Sequence, residues 1–313
     1  MKQFLMLAGL VATVLMATFL AVAVLDQAEG DRARAVAAAR YGGEGAADAA
    51  VIEAVRAELG LDRPLSTRYL EWAGAALGGD LGRSHVSGEP VRDVLARAAG
   101  LTVPVALLAF GMGLALAVPL GVLSALRPGS VTDRLAVALA SVGAAVPSFW
   151  LGLALILFFS VQLKWLPAYG AGSFAHLVLP AVTLGVWVTA TQTRLIRSFL
   201  REALAAPHLD ALRLRGVPEH RILTRHVARP VLVAMAPLLM LELAALLEGA
   251  VVVEVVFARP GLGLTFIEAL RARDIPVILG FTALAVLVYA SANAMADALS
   301  RRIDPRLREA TRG

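Results

Sequence analysis

Residues 101–126 read LTVPVALLAFGMGLALAVPLGVLSAL, a run without one charged side chain. The hydrocarbon core of a bilayer takes roughly 20 apolar helical residues to cross, so this run alone is long enough to span it. Working outward, Phe4–Leu25, Leu135–Leu163, Leu177–Thr193 and Ile275–Ala296 read the same way, and Pro230–Val256 is interrupted only by Glu242, Glu248 and Glu254. Leu177–Thr193 is the shortest, and its helix is expected to run past one of those ends. The whole chain agrees with these segments. Of 313 residues, 58% are hydrophobic and 17% charged, and the mean hydropathy of +0.74 lies far above that of an ordinary soluble domain. The expected fold class is all-α: a polytopic membrane protein with six transmembrane helices. The first span is read as retained. A signal peptide cleaved near Ala21-Val22-Ala23 is the alternative, but the apolar region is long for one and only Lys2 precedes it.

The segments divide the chain into a first helix at 1–25, a small extracytoplasmic insertion at 26–98, a five-helix core at 99–300 and a cytoplasmic tail at 301–313. Charge sets the orientation. A net charge of +5 would suggest nucleic acid in a soluble protein, but here the basic residues lie between apolar spans. Residues 194–229 carry Arg194, Arg197, Arg201, Arg213, Arg215, Arg221, Arg225 and Arg229; the 127–134 loop adds Arg127 and Arg134, and the tail adds Arg301, Arg302, Arg306, Arg308 and Arg312. The positive-inside rule puts these on the cytoplasmic side, with both termini. Residues 26–98, Lys164–Gly172 and 257–274 then lie outside. In the first of these, AAVIEAVRAELGLDRP (49–64) places Ile52, Val55 and Leu59 on one helical face, closed by Gly60 and Pro64. In the last, ARPGLGLTFIEALRARD (258–274) reads as a Pro-Gly turn leading into a short amphipathic helix.

One cytoplasmic stretch is sharply bounded. In PHLDALRLRGVP (207–218), Pro207 stands at a helix start, Gly216 follows the last turn and Pro218 bars continuation. Arg213 and Arg215 complement the negative end of the helix dipole. So short a helix is not stable alone in water and needs something to hold it.

Catalytic chemistry finds no constellation. The only lysines, Lys2 and Lys164, fit no nucleotide-binding loop, and there is no His-Glu-x-x-His pair. Cysteine is absent, and His85, His176, His208, His220 and His226 do not cluster within the spans, so no metal site is expected. Acids inside spans are costly and face protein or water. Glu242, Glu248 and Glu254 lie six residues apart and point three ways around one helix, so they cannot all line one pore. Glu242, near mid-span, is the pathway candidate, and Glu254 is expected to fix the loop that follows.

A resemblance sharpens this reading. The ordered set LGLDRPL (59–65), GDLGRS (79–84), VPSFWLGL (146–153), WLPAYG (165–170), GAVVVEVVF (249–257), RPGLG (259–263) and IDPR (303–306) resembles the membrane permease subunit of dipeptide/oligopeptide/nickel-type ABC importers. The likeness covers roughly residues 58–308. Asp210-Ala211-Leu212-Arg213-Leu214-Arg215-Gly216 resembles the Glu-Ala-Ala-x3-Gly signature of import permeases, with Asp210 for the acid, Leu212 for the second alanine and Gly216 for the glycine. The chain departs from the pattern in the bulk of Leu212, in Pro207-His208 where Asp-Tyr is usual and in Pro230 where Asn is usual.

The resemblance implies a type I ABC importer permease fold and half of a translocation pathway for peptides or peptide-like solutes. Nickel or a metal chelate is the alternative within the family; a proton-coupled secondary transporter working through Glu242 is the alternative outside it. It implies as partners a second homologous permease, one or two ATPase subunits that bind ATP and Mg, an extracytoplasmic solute-binding protein and membrane lipid. No cofactor is expected in this chain, which is not read as an enzyme, and the location implied is the bacterial inner membrane. The helix at about 206–216 would dock on the ATPase through Leu209, Asp210, Ala211, Leu212 and Arg213, with Leu209 and Leu212 filling a groove there. Pro147, Ser148 and Phe149 join Glu242 as candidates for lining the pathway.

Overall fold

The computed structural model describes residues 2–27, 30–43 and 48–303. Arg306, Arg308 and most of the IDPR motif lie outside the described residues. Helices dominate, and an isolated bridge between Arg83 and Pro90 is the only β pairing among the described residues. In chain order the helices are α1 (Lys2–Gln27), α2 (Arg32–Tyr41), α3 (Ala49–Glu58), α4 (Leu65–Leu77), α5 (Val91–Leu126), α6 (Val131–Ala145), α7 (Ser148–Leu155), α8 (Ala175–Leu204), α9 (His208–Leu214), α10 (Glu219–Arg221), α11 (Ala228–Val256), α12 (Leu262–Ala272) and α13 (Ile275–Ile303). Two π-helical turns, Ile156–Gln162 and Ile222–Val227, continue α7 and α10.

Among the described residues, five helices are long and apolar enough to cross a membrane, and a sixth span results if α6 and α7 are taken together. That pair is where the structure departs from the expected straight span over Leu135–Leu163. The helices are bent by 98° at Val146–Pro147. The cause is local: a residue preceding proline is pushed out of the helical region, and Val146 is extended, with φ −75° and ψ 123°. The short run Leu177–Thr193 extends at both ends to form the 30-residue α8.

The chain forms two compact units. The first holds residues 1–102 and 260–290. Its core gathers Val22 of α1, Tyr69 of α4, Val91 and Leu95 of α5, and Ile278 and Leu279 of α13. The Tyr69 hydroxyl donates to the Leu15 carbonyl at 2.6 Å, which joins α4 to the apolar α1 and satisfies a buried phenol. A smaller cluster forms where Val36 of α2 meets Val55 of α3, with Ile52 and Leu59 packed against it on the expected face. The GDLGRS loop is pinned by buried Asp274, which accepts from the Ser84 hydroxyl and, at 3.0 Å, from the His85 backbone N–H. Burial holds the His85 imidazole below its ordinary pKa against the opposing pull of Asp274.

The second unit holds residues 103–259 and the chain from 291 onward. Within it α5 approaches α8 closely, and that approach depends on missing side chains. A Cβ on Gly113 would stand 2.6 Å from the Val188 Cβ, and one on Gly121 would stand 2.7 Å from the Ile196 Cβ. Small residues allow such close backbone approach between membrane helices, where packing rather than water expulsion drives association. Other flanks stay uncovered: Leu139, Val142 and Trp150 are exposed, as lipid- or partner-facing residues are.

Candidate functional site

Three features of the second unit carry chemistry. The first is α9. Pro207 stands at its N-cap position and Gly216 lies at φ +77° just past its C-cap, Arg215. The left-handed turn expected at this glycine is therefore present. Arg213 bonds Asp210 at 2.9 Å and Glu219 at 3.1 Å, so the helix is tied across its own C-terminal turn. Such exposed pairs fix geometry more than they add stability.

The outward face of α9 differs from the one expected. Leu209 is fully buried within this chain, in a cluster with Ile196 and Leu200 of α8, Ile222 and Val227 of the second π turn, and Val231 and Met235 of α11. Leu212 packs against the same cluster. Leu209 therefore cannot fill a groove on another subunit. The i, i+3 spacing correctly put the two leucines on one face, but that face is the one through which the protein holds its own short helix. Pro207, Ala211 and Leu214 are exposed instead, at i, i+4 and i+7, and Leu214 is 90% exposed.

The second feature is a cavity of about 390 Å³ lined by Pro147, Ser148, Thr183, Trp187, Glu242 and Glu248 among others. It opens at the α6–α7 break, where α7 begins without a side-chain cap. Of the three neighbours named as pathway candidates, Pro147 and Ser148 line this cavity and Phe149 does not. Glu242 is half-buried and accepts from the Thr191 hydroxyl at 3.2 Å. Glu248 reaches the same cavity. Six residues turn a side chain part of the way round a helix, which separates the two acids along α11 without placing them on opposite faces. Glu254 does lie apart. It is 1% exposed, and its carbonyl accepts the Arg259 N–H at 2.8 Å in the turn that follows α11.

The third feature escaped the sequence reading. Asp133 of α6 is 4% exposed and is held by the Arg197 guanidinium at 2.6 and 3.0 Å, by the Gly129 N–H at 2.8 Å and by the Ser124 hydroxyl. This two-pronged arginine–carboxylate pair locks the 127–134 turn onto α8. Its only sequence signal was Ser130 three residues ahead of an acid, the spacing of a helix-capping pair, and the Ser130 hydroxyl does accept the Asp133 N–H at 3.2 Å. Among the described residues, no group of His, Asp and Glu is arranged to hold a metal ion.

This arrangement has known counterparts. The family described as binding-protein-dependent transport system inner membrane component matches residues 117–309. The glutathione transport system permease protein GsiC of Escherichia coli K12 is 34% identical over 302 residues, covering 96% of this chain and 97% of that one. The protein of the same description from Pectobacterium atrosepticum is 35% identical over the same shares. Among solved structures, the MetNI methionine ABC transporter in an inward-facing form aligns with a TM-score of 0.51 at 20% identity, covering 66% of this chain and 97% of that chain. An amino acid ABC transporter solved with histidines aligns with a TM-score of 0.55 at 14% identity, covering 67% and 94%. These identities bear on the fold alone, and they agree with the expected all-helical permease fold. The relatives that match nearly end to end are transport permeases. The chain belongs to the binding-protein-dependent transport system inner membrane component family and is the permease component of an ABC importer.

Proposed function

We propose that this permease forms half of a translocation pathway for peptides or peptide-like solutes, and that α9 is the element through which a separate ATPase subunit drives it. A second homologous permease supplies the other half. One or two ATPase subunits bind ATP and Mg, this chain holding no cofactor of its own, and an extracytoplasmic solute-binding protein delivers the solute. Both termini and α9 face the cytoplasm, while residues 26–98 and 257–274 face outward. The glutathione named for the relatives supports a peptide-like solute.

The observation that carries the coupling role is the division of α9 into two faces. Leu209 roots the helix in its own chain, while Leu214 stands almost fully exposed at the far end. An exposed leucine on a helix fixed from behind is suited to docking, because little conformational entropy is lost when a partner covers it. Leu214→Asp leaves the Leu209 cluster untouched and puts a charge into the proposed contact. The variant is expected to insert and fold normally but to lose co-purification with the ATPase, or to keep it and lose solute-stimulated ATP hydrolysis. Normal coupling in Leu214→Asp would refute the assignment. Orientation has its own test in this cysteine-free chain. Cysteines placed at exposed Ser87 and Ser198 should react from opposite sides with a membrane-impermeant thiol reagent, and labelling from the same side would overturn the topology.

A further inference from the structure

The α6–α7/α8/α11 cavity presents two carboxylates in the apolar part of a membrane protein, and among the described residues neither Glu242 nor Glu248 is in an ion pair. The groups beside Glu242 are neutral ones, among them the Thr191 hydroxyl, which donates to it at 3.2 Å. A second observation points the same way. Gln192 of α8 is fully buried and neither of its amide atoms reaches hydrogen-bonding geometry, although the side chain lies beside Glu242. A buried amide held short of hydrogen-bonding geometry is a costly thing to keep, and so is a carboxylate in an apolar span with only neutral groups beside it. The rest of the lining differs in character: Leu184 and Trp187 of α8 and Leu246 of α11 are apolar, and an indole ring attracts cations as well as apolar groups.

We propose that this cavity is a recognition site for the ammonium end of the transported solute, with Glu242 and Glu248 binding the cation and Trp187 packing on the adjoining apolar portion. The inference rests on the permease reading and adds a selectivity element to it: a solute is checked within the membrane subunit for a positively charged nitrogen. A cavity of about 390 Å³ accommodates a small solute or the leading residues of a peptide. Hydrogen bonds from an ammonium to carboxylates are charge-assisted and roughly twice as strong as those between neutral groups.

The test uses the permease purified with its partner permease and ATPase subunits in lipid nanodiscs, without the solute-binding protein, so that selectivity measured there belongs to this complex. Tryptophan fluorescence is titrated with alanyl-alanine and, separately, with N-acetyl-alanyl-alanine, which lacks the ammonium. A Trp187→Phe variant identifies the signal that comes from the cavity. Alanyl-alanine is expected to bind at least about tenfold more tightly than the acetylated peptide, and the Glu242→Gln/Glu248→Gln double variant is expected to lose that preference. Equal binding of the two peptides, no saturable signal from either, or a preference that survives in the double variant would each overturn the proposal. Thermal unfolding and co-purification with the ATPase, unchanged in the double variant, separate lost recognition from lost structure. Failure here leaves the permease reading standing, because that reading is tested through Leu214, outside the cavity.

Discussion

Asp133 and Glu242 are both carboxylates on apolar helices of the same unit, and their surroundings are opposite. Asp133 is saturated: an arginine grips both of its oxygens, and a backbone N–H and a hydroxyl complete the set. Glu242 has one hydroxyl donor and opens on a cavity. A carboxylate satisfied on every side has no capacity left for a ligand and serves to hold helices in place. A carboxylate left short of donors has kept that capacity. The contrast separates an acid that holds helices together from one that retains room for a further partner.

That contrast can be broken or sharpened experimentally. The largest effect is expected from Asp133→Ala, which strands Arg197 among apolar helices with no counter-charge. The yield of folded, detergent-extracted protein should fall several-fold, and Arg197→Met made in addition should restore part of it, measurable by size-exclusion profile and thermal unfolding. If Asp133→Ala alone is as stable as the native chain, the node is not structural. Gly113→Val comes next. The added side chain meets Val188 at the α5–α8 contact, and the helices must part at a cost of about 1–3 kcal/mol, read as a lower unfolding temperature. Gly216→Val should cost about 1 kcal/mol or more through its positive φ alone, since nothing lies within 4 Å of the added Cβ. The smallest effect on stability belongs to Glu242→Gln, which keeps shape and hydrogen bonding. Its effect should appear in uptake kinetics instead and exceed that of Glu254→Gln; the reverse ranking would return Glu242 to a structural role.

Much of the fold was legible because membrane spans announce themselves by length and lack of charge, and the Pro207 and Gly216 boundaries of α9 follow from backbone rules alone. What was not legible depends on tertiary partners. Nothing local to Leu209 says whether it faces a partner or its own chain, since either use requires an apolar residue at that point. The α6–α7 break was written in Pro147, yet an uncharged run of that length outweighed it. Asp133 stood in a loop whose arginines drew the reading toward orientation, and its true partner, Arg197, lies 64 residues away. The joint presence of Glu242 and Glu248 in one cavity depends on how α6, α7 and α8 close around α11, which helical angles alone do not reveal.

The rooting of Leu209 has a mechanical consequence. Its side chain touches a cluster built from two long helices, α8 and α11, and from the π turn that joins α10 to α11. A short helix pinned in this way has no slack: it cannot swing on its flanking loops without dragging the helices it is wedged between. Any displacement applied at Leu214 acts through a stiff arm of about one and a half helical turns and reaches α8 and α11 together. Those two helices carry Thr183 and Trp187 on one side of the cavity and Glu242 and Glu248 on the other. Under the proposed coupling, a push on this wedge would reach both helices that line one chamber, the arrangement by which a single push changes a chamber's width rather than only its position.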